Sequence, residues 1–195
     1  MAHTLDLYWD FSSPYAYFGS TQAEALAART GAVLRWRPML LGGLFRAIGQ
    51  ADAPILTFPP AKQRYVMRDL ERWAEYLEVP YKFPTRFPMV TIKPLRVYLA
   101  LPESRRGKFR ERTFRAYWAE DRDISDDGEL RALIGEGADE ILARATEPAI
   151  KEELKAATDK AVSIGVFGAP TWVIDETELF WGQDRIPLVE RALGR

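Results

Sequence analysis

The sequence contains no cysteine among its 195 residues. This absence excludes disulfide bonds, iron–sulfur clusters, thiolate metal sites and a cysteine nucleophile within the chain. Any thiol chemistry at this protein must therefore use a sulfur atom that a bound small molecule supplies.

Histidine is almost as scarce, because His3 is the only one and it lies in the N-terminal tail. We therefore expect no Ser-His-Asp triad, no histidine general base and no histidine-rich metal site. Acid–base chemistry would have to come from carboxylates, lysine or tyrosine.

An excess of charge of one sign is also lacking, since 27 Lys and Arg residues face 28 Asp and Glu residues. This balance gives no sign of a nucleic-acid partner or of an anionic membrane surface. No hydrophobic run approaches the length of a transmembrane helix. The residues before Leu5 lack the basic and apolar segments of a signal peptide, so we expect a cytoplasmic location.

The N-terminal part of the chain reads as strand, helix, strand. Residues 5–10 alternate as in a strand, and residues 14–29 have helical spacing that ends at Gly31. Residues 33–37 form a second strand before Pro38. A β–α–β opening of this kind makes the two strands parallel.

The C-terminal part predicts a helix, an antiparallel hairpin and a closing helix. These elements are residues 148–163, the two strands 171–174 and 178–181, and residues 185–193. Helical patterns dominate the middle of the chain, apart from a proline-rich connector at 80–94. We predict an α/β domain from residues 1–39 and 148–195, with an inserted helical domain at 40–147.

The longest helical pattern of the insertion covers residues 61–76. Tyr65, Leu70 and Trp73 recur there at core-like spacing, so we expect these three side chains to face the core. Arginines recur every four residues on another side, which is typical of an exposed helix face with ion pairs.

Ser13 lies between the first strand and the first helix, directly before Pro14. Serine is preferred at a helix N-cap and proline at the first helical position, so Ser13 is a good cap. The same position also offers a hydroxyl and unpaired backbone N–H groups to a ligand, at the positive end of the helix dipole. The local sequence fits both interpretations, and the second would suit an anion such as a thiolate.

Pro170 follows Gly168 and Ala169 and precedes the first strand of the hairpin. Most X-Pro bonds are trans, with only about 5–6 % cis in folded proteins. A proline directly before a short strand, facing the start of a helix after a β–α–β opening, is nevertheless typical of thioredoxin-like proteins. This context favours the cis form at Pro170.

Gln183 and Asp184 lie just before the last predicted helix. An aspartate there is an ordinary helix cap. The amide and the carboxylate could instead hold an α-amino-acid group, with Asp184 pairing with its ammonium.

Three short motifs, in this order, resemble the signatures of the 2-hydroxychromene-2-carboxylate isomerase and kappa-class glutathione transferase family, which is related to DsbA. They are Phe11-Ser12-Ser13-Pro14-Tyr15, Phe167-Gly168-Ala169-Pro170 and Trp181-Gly182-Gln183-Asp184-Arg185. The matching features span nearly the whole chain. The resemblance implies a thioredoxin-like domain with a large all-helical insertion, glutathione as the cofactor, and a homodimer.

The resemblance gives Ser13 a role, because it stands where DsbA-like oxidoreductases carry the first cysteine of their redox pair. The Ser13 hydroxyl would hydrogen-bond the glutathione sulfur. Ala169, before the cis Pro170, would pair its backbone with the cysteinyl part of glutathione.

The resemblance also implies contacts with both ends of the tripeptide. Gln183 and Asp184 would take the γ-glutamyl end. Lys62 matches a family lysine that reaches the glycyl carboxylate, and the alternative is an ordinary solvated surface lysine. Gln50 falls near a family asparagine, which keeps an amide at that position.

The activity implied is the isomerisation of a small electrophilic aromatic or conjugated carboxylate, with the glutathione thiolate adding reversibly to it. The alternatives are kappa-type conjugation or peroxide reduction, and a non-catalytic thioredoxin-fold binding protein. A disulfide oxidoreductase is excluded because the chain has no cysteine. Arg86, Lys93 and Arg96, in and beside the proline-rich connector, are candidates to receive the substrate carboxylate.

Overall fold

The computed structural model describes residues 2–51 and 53–194. The strands are β1 (Thr4–Trp9), β2 (Val33–Pro38), β3 (Thr171–Ile174) and β4 (Glu178–Trp181), and they form one sheet in the order β2-β1-β3-β4. The helices are α1 (Pro14–Thr30), α2 (Leu41–Ala47), α3 (Pro60–Tyr76), α4 (Ile92–Ala100), α5 (Glu103–Trp118), α6 (Asp127–Ile134), α7 (Ala138–Arg144), α8 (Pro148–Ser163) and α9 (Ile186–Leu193). Two short 3-10 helices cover Pro54–Thr57 and Gln183–Arg185.

Strand β1 lies in the middle of the sheet and pairs on both sides. It runs parallel to β2, where Leu7 faces Trp36, and antiparallel to β3, where Leu7 faces Trp172. Leu5, Leu7 and Trp9 are fully buried because neighbouring strands and packed helices cover them. The end of this buried strand fixes the place where α1 begins.

Helices pack on the sheet and on one another. Helix α1 contacts β1, β2 and α9, whereas α8 contacts β2 and α2. At the end of α5, the Trp118 indole Nε1 donates a hydrogen bond to the Phe11 carbonyl oxygen at 2.8 Å. This bond joins the helical segment to the turn that precedes α1.

The α/β fold with a helical segment between the second and third strands is confirmed, since all four strands lie outside residues 40–147. Both hairpin strands have the predicted bounds. The division into two domains stays a prediction, and its end residues 1 and 195 lie outside the described residues. Within the described ranges, no helix has the length and apolar character that crossing a membrane requires.

Two local expectations on the insertion differ from the structure. The connector predicted at 80–94 ends earlier, because α4 already begins at Ile92 and Pro94, in its first turn, removes no intrahelical bond. The expectation that Tyr65 faces the core is wrong, since it is 61 % exposed while its neighbour Val66 is buried. Successive side chains are about 100° apart around the helix axis, so the few apolar residues of this segment are compatible with either of two adjacent buried faces.

Candidate active site

Ser13 is the N-cap of α1, as its sequence context predicts. Its backbone is extended (φ −102°, ψ 120°), and its Oγ accepts a hydrogen bond from the Ala16 N–H at 3.1 Å. The same hydroxyl donates to the carbonyl oxygen of Ala169 at 2.8 Å, and the residue is only 5 % exposed. The cap and the segment before Pro170 are therefore in direct contact, although 156 positions separate them in the sequence.

The peptide bond between Ala169 and Pro170 is cis, which confirms the expectation from the sequence. The Pro170 carbonyl oxygen accepts a hydrogen bond from the Gly182 N–H at 3.0 Å. The proline ring lies on α1 at Gly19, where an added Cβ would be 3.1 Å from the Pro170 Cγ. The absence of a side chain at Gly19 therefore lets the Pro170 loop approach the first turns of α1.

Gln183 and Asp184 lie next to this loop but in different environments. Gln183 is 2 % exposed, and its Oε1 accepts a hydrogen bond from Gln22 Nε2 of α1 at 3.1 Å. Asp184 is exposed and pairs with Arg185 at 2.6 Å. The carboxylate of Asp184 is thus accessible from solvent although Arg185 pairs with it, whereas the amide oxygen of Gln183 is buried and accepts from Gln22.

Tyr15, in the first turn of α1, lies near the carboxylate of Asp69 on α3 and near that of Asp184. Burial of the phenol, together with the nearby carboxylates of Asp69 and Asp184, raises the pKa of Tyr15 to about 12. Tyr15 therefore stays protonated at neutral pH. The Asp69 carboxylate adds negative charge beside Tyr15, whereas Asp184 is paired with Arg185, and the charge of Asp69 suits an ammonium group.

Lys62 lies on α3, one helical turn before Tyr65 and two turns before Asp69. Residues spaced by three, four and seven share one helix face, so Lys62 faces the same way as Asp69, which neighbours Tyr15. Its ammonium is exposed and lies 3.8 Å from the centroid of the Phe58 ring.

Gln50 lies on an exposed turn after α2. Its backbone N–H donates to the Phe45 carbonyl at 2.8 Å. None of the hydrogen bonds among the described residues joins the Gln50 side chain to Ser13 or to Ala169. The structure therefore brings Ser13, Ala169, Gln183 and Asp184 together and leaves the place of Gln50 in the site a prediction.

The three candidate cations around the connector differ in their partners. Arg86 lies 3.7 Å from the Asp123 carboxylate, and Lys93 pairs with Asp127. Arg96 makes no ion pair with a described residue, and its buried Nε has no hydrogen-bond partner among them. Among the described residues, Arg96 is therefore the one of the three cations with no carboxylate within ion-pair distance.

The model of the DSBA-like thioredoxin domain family matches residues 4–194. The chain belongs to this family. This chain has no cysteine. At the start of α1, its Ser13 hydroxyl donates to the carbonyl oxygen of Ala169, the residue before the cis Pro170.

Relatives of this DSBA-like chain carry enzyme names. The 2-hydroxychromene-2-carboxylate isomerase of Sphingobium xenophagum is 33 % identical over 196 residues, which cover 99 % of each chain. Human glutathione S-transferase kappa 1 is 27 % identical, with 100 % of this chain and 92 % of that protein covered. A solved structure of a 2-hydroxychromene-2-carboxylate isomerase has a TM-score of 0.84 at 25 % identity and covers 98 % of this chain and 95 % of that chain. These relatives confirm the resemblance seen in the three motifs and the enzyme class that it implies.

Asp10, at the end of β1, is a fully buried carboxylate that no motif singled out. It accepts hydrogen bonds from the Ser12 N–H at 3.0 Å and from the Leu41 N–H at 2.7 Å, and the Thr91 side chain lies beside it. Leu41 is the first residue of α2, and its N-cap Leu40 provides no side-chain bond, so Asp10 caps α2 from outside. Burial raises the pKa of Asp10. This residue ties the turn before Ser13 to two helices of the insertion.

Tyr81 is a second residue that local patterns did not indicate. Its ring lies between Phe18 and Trp118, with ring centroids 5.4 and 6.3 Å away. The Tyr17 hydroxyl donates to the Pro80 carbonyl at 2.8 Å and thereby holds the segment on α1. The Tyr81 hydroxyl is buried and has no partner among the described residues. An unpaired donor therefore lies beside the start of α1, and only the tertiary contacts reveal it.

Proposed function

We propose that this protein is a glutathione-dependent isomerase of a small aromatic or conjugated carboxylate, related in activity to 2-hydroxychromene-2-carboxylate isomerase. One observation carries the proposal. The Ser13 hydroxyl lies at the start of α1 and touches the residue before the cis Pro170, in a chain that provides no thiol of its own. The names of the relatives support the same activity.

The position of Ser13 suits a bound thiolate. A free thiol has a pKa of about 8.5, and the N-terminus of a helix lowers that value, which raises the thiolate fraction at neutral pH. Ser13 itself is not the nucleophile in this proposal. Its hydroxyl orients and stabilises the sulfur that attacks the substrate.

Binding of glutathione would require an exchange of hydrogen bonds at Ala169. The Ser13 hydroxyl now donates to the Ala169 carbonyl. The cysteinyl N–H of glutathione would replace it as the donor to that carbonyl, and the released Ser13 hydroxyl would then donate to the sulfur. Every polar group keeps a partner, so the exchange leaves no buried group unsatisfied.

The remaining contacts follow from charge. Asp184 would pair with the γ-glutamyl ammonium, helped by the negative edge that Asp69 adds near Tyr15. Lys62 would take the glycyl carboxylate. For Gln183 the Nε2 group is the available donor, because its Oε1 accepts from Gln22.

In the proposed reaction the thiolate forms a carbon–sulfur bond to a conjugated carbon of the substrate, and the electron pair moves to the carbonyl oxygen. The former double bond then rotates as a single bond. Reversal of the addition expels the thiolate and restores the double bond, so glutathione is regenerated. In a kappa-type transferase the carbon–sulfur bond would persist in the product, and the kappa relatives keep this second candidate open.

We expect the protein to bind glutathione saturably at millimolar concentration or below and to convert a hydroxychromene carboxylate without consuming glutathione. Calorimetric titration measures the binding, and the absorbance spectrum of the substrate measures the conversion. Mass spectrometry shows whether a glutathione conjugate forms, which would favour the transferase. An absence of heat at millimolar glutathione would leave only a non-catalytic binding protein.

We expect Arg96→Gln to raise the KM for a carboxylate substrate about tenfold and to leave kcat nearly unchanged. A charge-assisted hydrogen bond contributes about 1.5–3 kcal/mol, and this one would form in ground state and transition state alike. Initial rates at saturating glutathione measure the change. Arg131→Gln is the matched control, because Arg131 is an exposed helical arginine already paired with Asp139 at 2.8 Å. Equal KM values for the two variants would exclude Arg96 as the carboxylate receptor.

A further inference from the structure

Phe167 and Trp181 form an exposed aromatic pair. Their ring centroids are 5.1 Å apart with the planes at 54°, and the two residues are 41 % and 52 % exposed. Trp9, Trp118 and Trp172, by contrast, are fully buried. Two large adjacent aromatic rings that are about half exposed to solvent indicate a binding surface.

The pair is held in place by the segment that contacts Ser13. Trp181 pairs with Thr171 in the β3–β4 ladder, directly after the cis Pro170. Its indole rests on the backbone of Gly168, where an added Cβ would lie 2.5 Å from the Trp181 Nε1. Gly168 precedes Ala169, the residue whose carbonyl oxygen accepts from the Ser13 hydroxyl. The exposed rings are therefore continuous with the candidate active site, and their fixed position lowers the entropy cost of binding.

The size of the exposed surface limits what it can receive. A large aromatic side chain buries roughly 150–250 Å² in a full contact, so two half-exposed rings offer on the order of 200 Å². A stable protein interface needs about 800 Å² from each partner. The pair alone is too small for a protein partner, and because its two planes meet at 54° it forms an angled surface that fits one ring-sized ligand.

We propose that Phe167 and Trp181 form an angled platform against which the aromatic ring of the substrate packs, stacked on one ring and edge-on to the other, next to the sulfur at Ser13. This inference deepens the proposed function and rests on it for the identity of the reaction. The platform makes the site prefer a ring-bearing conjugated carboxylate to an open-chain one. The preference comes from stacked and edge-to-face contact between aromatic rings, which an open-chain ligand cannot make.

The test compares two non-isomerising probes, 2-hydroxycinnamate with its ring and sorbate without one. Dissociation constants are measured by calorimetry or ligand-observed NMR, with and without glutathione. We expect the native protein to bind 2-hydroxycinnamate about tenfold more tightly than sorbate. Trp181→Leu should abolish this preference, whereas Trp181→Phe should retain most of it because a ring is kept. Tyr76→Leu is the matched control, since Tyr76 is a 77 % exposed aromatic residue that packs edge-on against Trp73.

Each other outcome is decisive. A ring preference in Trp181→Leu equal to that of the native protein would overturn the platform. So would a change in the sedimentation of this variant, which would assign the pair to a subunit contact. Loss of glutathione affinity in parallel with the probe would assign the rings to the thiol ligand instead. If the native protein binds no glutathione, the proposed function fails, but the preference between the two probes still tests the platform by itself.

Discussion

We expect Ser13→Ala to lower kcat for the glutathione-dependent isomerisation by about 10²–10³-fold, the loss typical of removing one preorganised hydrogen-bond donor. The affinity for glutathione should fall much less, because the rest of the tripeptide is held by other residues. The free energy of unfolding should fall by about 1 kcal/mol, since the variant loses a helix cap. Steady-state rates and urea denaturation measure these effects separately.

Two further variants separate chemistry from stability. Ser13→Gly also removes the hydroxyl, but glycine caps a helix nearly as well as serine, so it should lose activity with little loss of stability. Asp126→Ala removes the cap of α6, where the carboxylate accepts from the Glu129 N–H at 3.0 Å. This variant should lose about 1 kcal/mol of stability and keep full activity. Full turnover in Ser13→Gly would show that the hydroxyl does not act on the sulfur.

The second large effect is expected at Asp10. Asp10→Ala leaves the N–H groups of Ser12 and Leu41 without their acceptor in a buried site. Each orphaned donor costs about 1–3 kcal/mol, so the free energy of unfolding should fall by about 3 kcal/mol. Urea denaturation followed by circular dichroism at pH 7 measures it. Asp123→Ala is the control, because the half-buried Asp123 hydrogen-bonds only to Ser125, with Arg86 3.7 Å away, and its loss should cost less than about 1 kcal/mol.

The pH dependence of Asp10→Asn checks the ionisation of this carboxylate. Burial raises the pKa of Asp10 in the folded state, so folding favours its protonated form. This contribution is complete below the ordinary pKa of about 3.9 and is lost as the pH rises through the folded pKa. Relative to Asp10→Asn, the native protein should therefore lose stability from about pH 4 upward. A stability difference independent of pH between 4 and 7 would show that the carboxylate does not titrate as burial requires.

Local sequence patterns were reliable where a structure depends on near neighbours. The N-cap at Ser13, the αL residue Gly31 after α1 and the bounds of both hairpin strands follow from residues within a few positions. They failed where a pattern fits two adjacent faces, as at Tyr65 and Val66 on α3. In that case the neighbouring elements, not the helix itself, choose the buried face.

In the candidate site, likewise, the sequence indicated several of the residues, whereas only the structure showed their partners. Three motifs were enough to propose Ser13, Ala169, Gln183 and Asp184 as its residues. Their partners were not predictable, because the amide oxygen of Gln183 is taken by Gln22, 161 positions away. Arg96 could not be distinguished from Lys93 until the structure showed which cation has a carboxylate beside it.

The sequence by itself determined that any reactive sulfur must come from a ligand, because composition excludes cysteine whatever the fold. It also determined the start of α1 at its Ser13 cap, its end at Gly31 and the bounds of both hairpin strands, since caps, prolines and glycines act on their immediate neighbours. Only the tertiary structure decided that Ser13 contacts Ala169, that Asp10 caps α2 and that Trp181 rests exposed on Gly168. These contacts join residues more than ten positions apart, and their formation depends on how the whole core packs.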